Sequence, residues 1–267
     1  MTMIDTTVPP NDHYLGLTGA RLMPTTASRL TQQHLKSAIK AKAMLCIHGD
    51  VGLGKTLAVN TNLRDLAPDK TLWLECRKGA TLTVLCSALF RALDLPGEPP
   101  AQVDDCDPLL REALSTKHQV MVCDEAQGLS KQALDYLRTL WDDKKTQLTL
   151  VFVGGENCLQ RIRSRPALFS RITFFQQYQP LTPDEVLTTL PDYHDLWKDV
   201  APPELLWVND VVCHGNFRNW AKVTFHIQEA LEETPQTAWF SRDTVRMVLS
   251  YLDSSVRSQP GTPPGYL

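Results

Sequence analysis

Short apolar runs recur along the chain, each bounded by polar or turn-forming positions, with amphipathic stretches between them. Ala43-Met44-Leu45-Cys46-Ile47-His48, Thr71-Leu72-Trp73-Leu74-Glu75-Cys76, Gln119-Val120-Met121-Val122-Cys123 and Leu148-Thr149-Leu150-Val151-Phe152-Val153 each read as a strand, and a fifth is expected at Ile172 to Tyr178. Between them, Ala27 to Lys42 places Leu30, Leu35 and Ile39 on or near one helical face. Residues 81 to 93 set Leu82, Leu85, Leu89 and Leu93 at helical spacing, and further helices are expected near 108 to 116 and 130 to 142. Strands alternating with helices predict an α/β fold, a parallel sheet with helices on both faces.

The pattern changes at Pro180. Pro183 to Leu190, Pro203 to Val212, Asn216 to Leu231 and Ser241 to Leu252 read as helices, with no further strand. The expected organisation is an N-terminal extension, partly flexible, over 1–20, an α/β nucleotide-binding domain over 21–180, a small C-terminal helical lid over 181–252, and a Ser-, Pro- and Gly-rich flexible tail over 253–267.

Chemistry enters at the end of the first strand. Gly49-Asp50-Val51-Gly52-Leu53-Gly54-Lys55-Thr56 is a complete G-x-x-x-x-G-K-T phosphate loop, set between a strand and an expected helix. Backbone N–H groups of such a turn converge on phosphate oxygens, and the helix adds the positive end of its dipole. Lys55 would reach the β- and γ-phosphates, and the Thr56 hydroxyl would ligate Mg²⁺. The chain is therefore expected to bind ATP with Mg²⁺. The third strand ends in Asp124 and Glu125. At that place in phosphate-loop proteins the Asp holds Mg²⁺ and the Glu orients the attacking water. The alternative is an acidic cap for the helix that follows, which would suit a helix dipole equally well.

Composition adds little. The net charge is −3, so any nucleic-acid contact must come from local patches. Residues 161–171 hold four arginines and no acid, either an interaction surface or a solvated helix face. The stretch 182–210 has seven acidic residues against Lys198, which leaves it ill suited to face DNA. Seven cysteines lack C-x-x-C spacing, and several sit inside apolar runs, indicating neither zinc nor disulfides. Without a signal pattern or a membrane span, a cytoplasmic protein is expected. Trp73 and Trp220 read as core residues.

Sheet, lid and loop order together resemble the AAA+ class. Val122-Cys123-Asp124-Glu125-Ala126-Gln127 is similar to the strand and D-E-A-Q end of transposition ATPases. Phe152-Val153-Gly154-Gly155-Glu156-Asn157, with Leu159, Pro166, Leu168 and Ser170-Arg171-Ile172, resembles the segment between their fourth and fifth strands. Gly215-Asn216-Phe217-Arg218 resembles the G-N-F-R of the TniB group, related to TnsC and MuB, and Leu22-Met23-Pro24-Thr25 resembles its approach to the adenine pocket.

The resemblance implies an ATPase, possible slow turnover included, that forms a homo-oligomer, ring or filament, on duplex DNA. Its DNA contacts would be to the backbone, with little sequence preference. It would select or mark a target and recruit or activate a transposase, with or without a separate target-selection protein. Lys55 and Glu125 would be catalytic, Arg218 would sense the γ-phosphate from the lid, and Arg171 would enter a neighbouring subunit's site, with Arg161, Arg163 and Arg165 competing for that role. Arg77 and Lys78 would contact DNA. The polar sensor expected after the fourth strand falls near Gly155, which has no side chain, so Glu156 or Asn157 would substitute; Asn157 is the expected nucleotide contact. The alternatives are an AAA+ helicase loader, or a secretion-accessory or signalling ATPase acting as a nucleotide switch on a protein partner.

Overall fold

A computed structural model describes residues 4–5, 16–233 and 241–246. The tail at 253–267, much of the expected N-terminal extension and half of the helix expected at Ser241 to Leu252 lie outside the described residues. The chain divides into two units: residues 1–10 with 24–179, and residues 11–23 with 180–267.

The first unit is a three-layer α/β structure. Its sheet contains β1 (Ile4–Asp5), β2 (Met44–His48), β3 (Thr71–Cys76), β4 (Gln119–Asp124), β5 (Leu148–Gly154) and β6 (Ile172–Gln177), in the order β1-β3-β4-β5-β2-β6. The five strands from β2 to β6 run parallel, and the two-residue β1 pairs antiparallel with β3. β2, β4 and β5 are buried along their whole lengths, as expected of parallel strands covered on both faces.

Strand alternation sends side chains into two separate cores. Met44, Cys46, Leu74, Met121, Cys123, Leu150 and Phe152 face α3 (Leu82–Ala92), α4 (Val103–Thr116), α5 (Lys131–Asp142), α6 (Glu156–Arg163) and α7 (Pro166–Phe169). Leu45, Ile47, Trp73, Val120, Val122, Val151 and Val153 face α1 (Thr26–Ala41) and α2 (Lys55–Leu66). Hydroxyls close the starts of three helices: Thr25, Thr81 and Ser130 accept backbone N–H groups of α1, α3 and α5.

Two features depart from the sequence expectation. α4 begins at Val103 and carries Pro108 inside it, five residues before the expected start near 108. Asp104 and Asp105 in its first turn favour the positive helix end and help to offset the hydrogen bond that Pro108 cannot donate. The arginine-bearing stretch forms α6 and α7, anchored by Cys158, Ile162 and Leu168.

The second unit is helical: α8 (Pro183–Tyr193), α9 (Pro202–Val208) and α10 (Phe217–Glu233), with 242–246 also helical. Thr182 and Glu185 form a reciprocal capping box around Pro183 at the start of α8. The core holds Trp197 and Trp220 edge to face, ring centroids 5.0 Å apart, and the Trp197 indole N–H donates to Thr224 Oγ1. Residues 16–23, expected to divide between the extension and the sheet domain, group with these helices. Leu17 enters the helical core, and the Arg21 backbone N–H donates to the Tyr193 carbonyl. Among the described residues no helix is long and apolar enough to cross a membrane.

Candidate nucleotide site

The phosphate loop leaves β2 at His48 and enters α2 at Lys55, the strand-to-helix setting the motif requires. Two glycines answer different constraints. Gly49 has φ 143°, and a Cβ there would lie 2.6 Å from the Tyr178 carbonyl oxygen, so the loop can start only where no side chain intrudes. The Tyr178 N–H donates to the His48 carbonyl at 2.7 Å and holds that approach. Gly54 has φ 89° and open space around its Cα; it is glycine for conformation and begins α2 without a side-chain cap. Asp50 and Val51 are exposed on the loop, and Leu53 is buried beneath it against the α1–α2 core.

Lys55 is buried, and its ammonium donates to the carbonyls of Gly49 (2.9 Å) and Asp50 (2.6 Å). The Thr56 hydroxyl donates to Asp124 Oδ1 at 3.3 Å, which brings the loop and the end of β4 together across 68 residues of sequence. Asp124 is buried and also accepts its neighbour's N–H, Glu125 N, at 3.0 Å. Burial pushes the Asp124 carboxyl up to about 6. The Thr56 hydroxyl and the Glu125 N–H oppose that rise, while the Glu125 and Glu75 carboxylates add to it. Two hard oxygens, the Thr56 hydroxyl and the Asp124 carboxylate, fit Mg²⁺, which takes few protein ligands and completes its shell from phosphate and water. Consistent with that division, no group of three or more His, Cys, Asp or Glu among the described residues is placed to hold a metal. Burial first, then the charges of Arg163 and Lys55, lower the pKa of His48 and keep it neutral.

Glu125 differs from its neighbour in every respect. It is exposed, and its φ of 52° turns the chain out of β4 into a short turn, Ala126–Gly128. Gln127, two residues on, donates from Nε2 to Glu125 Oε2 and accepts the Gly155 N–H at its Oε1. The sequence contains Gln127 in its D-E-A-Q run, but nothing there assigns it a task; the signal is Gly154, whose missing side chain leaves room for the amide. Gly155 precedes α6 as its N-cap, and Glu156 and Asn157 are exposed in the first turn of that helix.

Of the arginines, Arg161 donates twice to the Leu129 carbonyl (3.1 and 2.8 Å), and Arg165 pairs with Asp135 through Nε and Nη2, one to each carboxylate oxygen. Arg171 is held by Asp142 (2.6 Å) and the Ala167 carbonyl (2.6 Å). Arg163 is exposed, stacks over the Phe169 ring at 5.7 Å, and has no carboxylate partner among the described residues. Arg77 and Lys78 are exposed on the loop after β3. That loop is tied to the Glu125 turn, because the Gly128 carbonyl accepts the N–H groups of Gly79 (3.0 Å) and Ala80 (3.2 Å). A Cβ on Gly128 would lie 2.3 Å from the Cys76 carbonyl oxygen, so the connection requires glycine.

In the helical unit, Gly215 (φ 70°) brings its backbone against Leu181, where a Cβ would sit 2.6 Å from the carbonyl oxygen. The Asn216 side chain accepts the N–H groups of Arg218 and Asn219 and caps α10. The glycine and asparagine of G-N-F-R thus have local structural work, and Arg218 is exposed in the first turn of the helix.

This arrangement of parallel sheet, phosphate loop and strand-end carboxylates is the P-loop AAA+ fold. Residues 37–162 match the family model described as AAA domain. Among solved structures the chain is similar to the ORC2 protein of Aeropyrum pernix with ADPNP and ADP, at 16% identity over 90% of this chain and 70% of that one, TM-score 0.69. It is likewise similar to the ORC1 protein of Aeropyrum pernix in complex with DNA (17% identity, 90% and 70% covered, TM-score 0.65) and to a RuvB variant of Thermotoga maritima (15% identity, 85% and 68% covered, TM-score 0.58). No curated protein sequence matches the chain.

Proposed function

We propose that the protein is an ATP hydrolase that assembles on duplex DNA and regulates DNA transposition, marking or selecting a target and recruiting or activating a transposase. The observation that carries the nucleotide chemistry is the convergence of Lys55, Thr56, Asp124 and Glu125 at the ends of β2 and β4. Lys55 and the loop N–H groups bind the β- and γ-phosphates, and Thr56 and Asp124 hold Mg²⁺, which when bound neutralises phosphate charge. Glu125 takes a proton from the water that attacks the γ-phosphorus; the bond from that phosphorus to the β–γ bridging oxygen breaks, the oxygen leaves with ADP and the phosphoryl group becomes inorganic phosphate. An arginine of the 161–171 segment, supplied by a neighbouring copy, would make turnover depend on assembly.

The DNA part of the reading rests on the exposed Arg77 and Lys78 and on the fold shared with structures of which one holds DNA. The transposition part rests on the D-E-A-Q, strand-four and G-N-F-R resemblances. A loader or initiator role is the second reading, favoured by the likeness to the ORC proteins. The test is retention of duplex DNA on filters and assembly in negative stain, with ATP and with a non-hydrolysable analogue, for the wild type and Lys55→Ala. Salt-sensitive, ATP-dependent retention lost in Lys55→Ala is expected; absence of any nucleotide-dependent assembly or retention overturns the reading. Stimulation of a transposase by the ATP-bound form separates the first reading from the second.

A further inference from the structure

Gly155 occupies the place where a polar side chain is expected next to the γ-phosphate, yet nothing local requires a glycine there. Its backbone is extended (φ −70°, ψ −172°), and a Cβ would come only to 3.7 Å of Gln127 Nε2, an ordinary contact. As the N-cap of α6 without a side-chain hydrogen bond, it would favour Ser or Asn on stability grounds. At Gly154 the reverse holds. A Cβ would lie 2.1 Å from Gln127 Oε1 and 2.8 Å from the Cys158 Cβ, so that position stays bare under both the Gln127 amide and the first turn of α6. The amide fills the space over the glycine pair and bridges it, with Oε1 on the Gly155 N–H and Nε2 on the Glu125 carboxylate.

We propose that Gln127 is a positioning residue for hydrolysis, reaching from the turn after β4 to supply the polar group that Gly155 lacks and to hold the Glu125 carboxylate in one orientation. The proposal rests on the hydrolase reading with Glu125 as base. An exposed glutamate samples several rotamers, and one fixed by a donor that is itself anchored on the N-cap of α6 presents its oxygen to water without that search. The cost of losing the bridge therefore falls on turnover and leaves nucleotide binding intact.

The experiment measures kcat for ATP, nucleotide Kd with a fluorescent ADP analogue, and thermal midpoint. The proteins are the wild type, Glu125→Gln, Gln127→Ala, Gln127→Leu, Gly155→Asn and the double variant Gln127→Ala/Gly155→Asn. Both Gln127 variants should lower kcat about tenfold with Kd changed by less than about twofold. The double variant should regain about a third or more of the wild-type rate, since the introduced asparagine would return a polar side chain to the vacated space. Wild-type kcat in Gln127→Ala, a parallel loss of Kd and thermal midpoint, or no rescue by Gly155→Asn would each overturn the proposal. If Glu125→Gln is inactive while Gln127→Ala is not, only this proposal falls; if the wild type does not hydrolyse ATP, the hydrolase reading falls and takes this one with it.

Discussion

The end of β4 and the segment 161–171 handle charge in opposite ways. Asp124 is buried, and burial raises its proton affinity, helped by the Glu125 and Glu75 carboxylates and opposed by the Thr56 hydroxyl and the Glu125 N–H. The arginines of α6, α7 and the turn before β6 are mostly matched: Arg165 by Asp135, Arg171 by Asp142, and Arg161 by a carbonyl. The four-arginine cluster is the larger signal in the sequence, yet within the fold two of the four are paired with carboxylates and a third is tied to a carbonyl. The buried Asp124 marks the functional end more clearly, because folding places a carboxylate where a bound cation would offset the burial that raises its pKa.

That contrast breaks most directly at Asp124. Its carboxyl is raised from the ordinary 3.8 to about 6, so this group's contribution to stability is fully present below about 3.8 and is lost as pH rises through about 6. At about 1.4 kcal/mol per pH unit, the loss amounts to about 3 kcal/mol by pH 8. Asp124→Asn should therefore make the protein about 2–3 kcal/mol more stable at pH 8 without Mg²⁺ or nucleotide, leave stability at pH 4 nearly unchanged, and abolish ATP turnover. Urea melts at the two pH values check this. Equal stability of variant and wild type at pH 8 would mean that Asp124 is already compensated.

The comparison sharpens at a third place, the loop after β3, where Arg77 and Lys78 are neither buried nor paired with a carboxylate among the described residues. If positive charge left unmatched is the mark of a phosphate-facing surface, two residues there outweigh four in the arginine segment. Replacing both with Ala should lower ATP-dependent affinity for duplex DNA about 30-fold, about 2 kcal/mol, and reduce the slope of log K against log salt by about 2. Filter binding across a salt series measures both quantities. An unchanged slope would remove the loop from the interface. Because the Gly128 carbonyl ties this loop to the turn that carries Glu125, DNA-stimulated turnover should fall with it.

What the sequence shows of this arrangement divides by range. The phosphate loop, the strand-end carboxylates and the five parallel strands are written locally, in a motif and in short apolar runs, three of them buried along their whole lengths, and the parallel strands lie where those runs predict. The start of α4 is hidden because Pro108 and the acidic residues around it have loop composition, although Asp104 and Asp105 suit a helix beginning at Val103. α6 and α7 are hidden because arginines swamp the few apolar positions that anchor them. Gln127 is illegible for a different reason: its partner at Gly155 lies 28 residues away and takes part through a backbone N–H that every residue type but proline carries. Likewise, the sequence places four arginines together, but the groups that neutralise them, Asp135, Asp142 and the Leu129 carbonyl, belong to α5 and the turn before it.

The smallest effects separate arginines that the sequence treats alike. Arg165 and Asp135 are each about a third exposed and joined by two hydrogen bonds, so Arg165→Ala should cost about 1 kcal/mol and lower the melting midpoint by about 2–4 °C, with turnover per folded molecule unchanged. Arg163, which stacks on Phe169 and has no carboxylate partner among the described residues, should do the reverse: Arg163→Ala changes stability by less than about 0.5 kcal/mol and lowers turnover of the DNA-assembled protein. Mixing Arg163→Ala with Lys55→Ala then tells whether the arginine acts across a subunit boundary, because each variant retains what the other lacks. Recovery of turnover in the mixture places Arg163 in a neighbour's site. Recovery only when Arg171→Ala takes the place of Arg163→Ala transfers that role to Arg171 and shows that assembly breaks its pairing with Asp142, in which case a charge neutralised within one subunit is released by contact with the next.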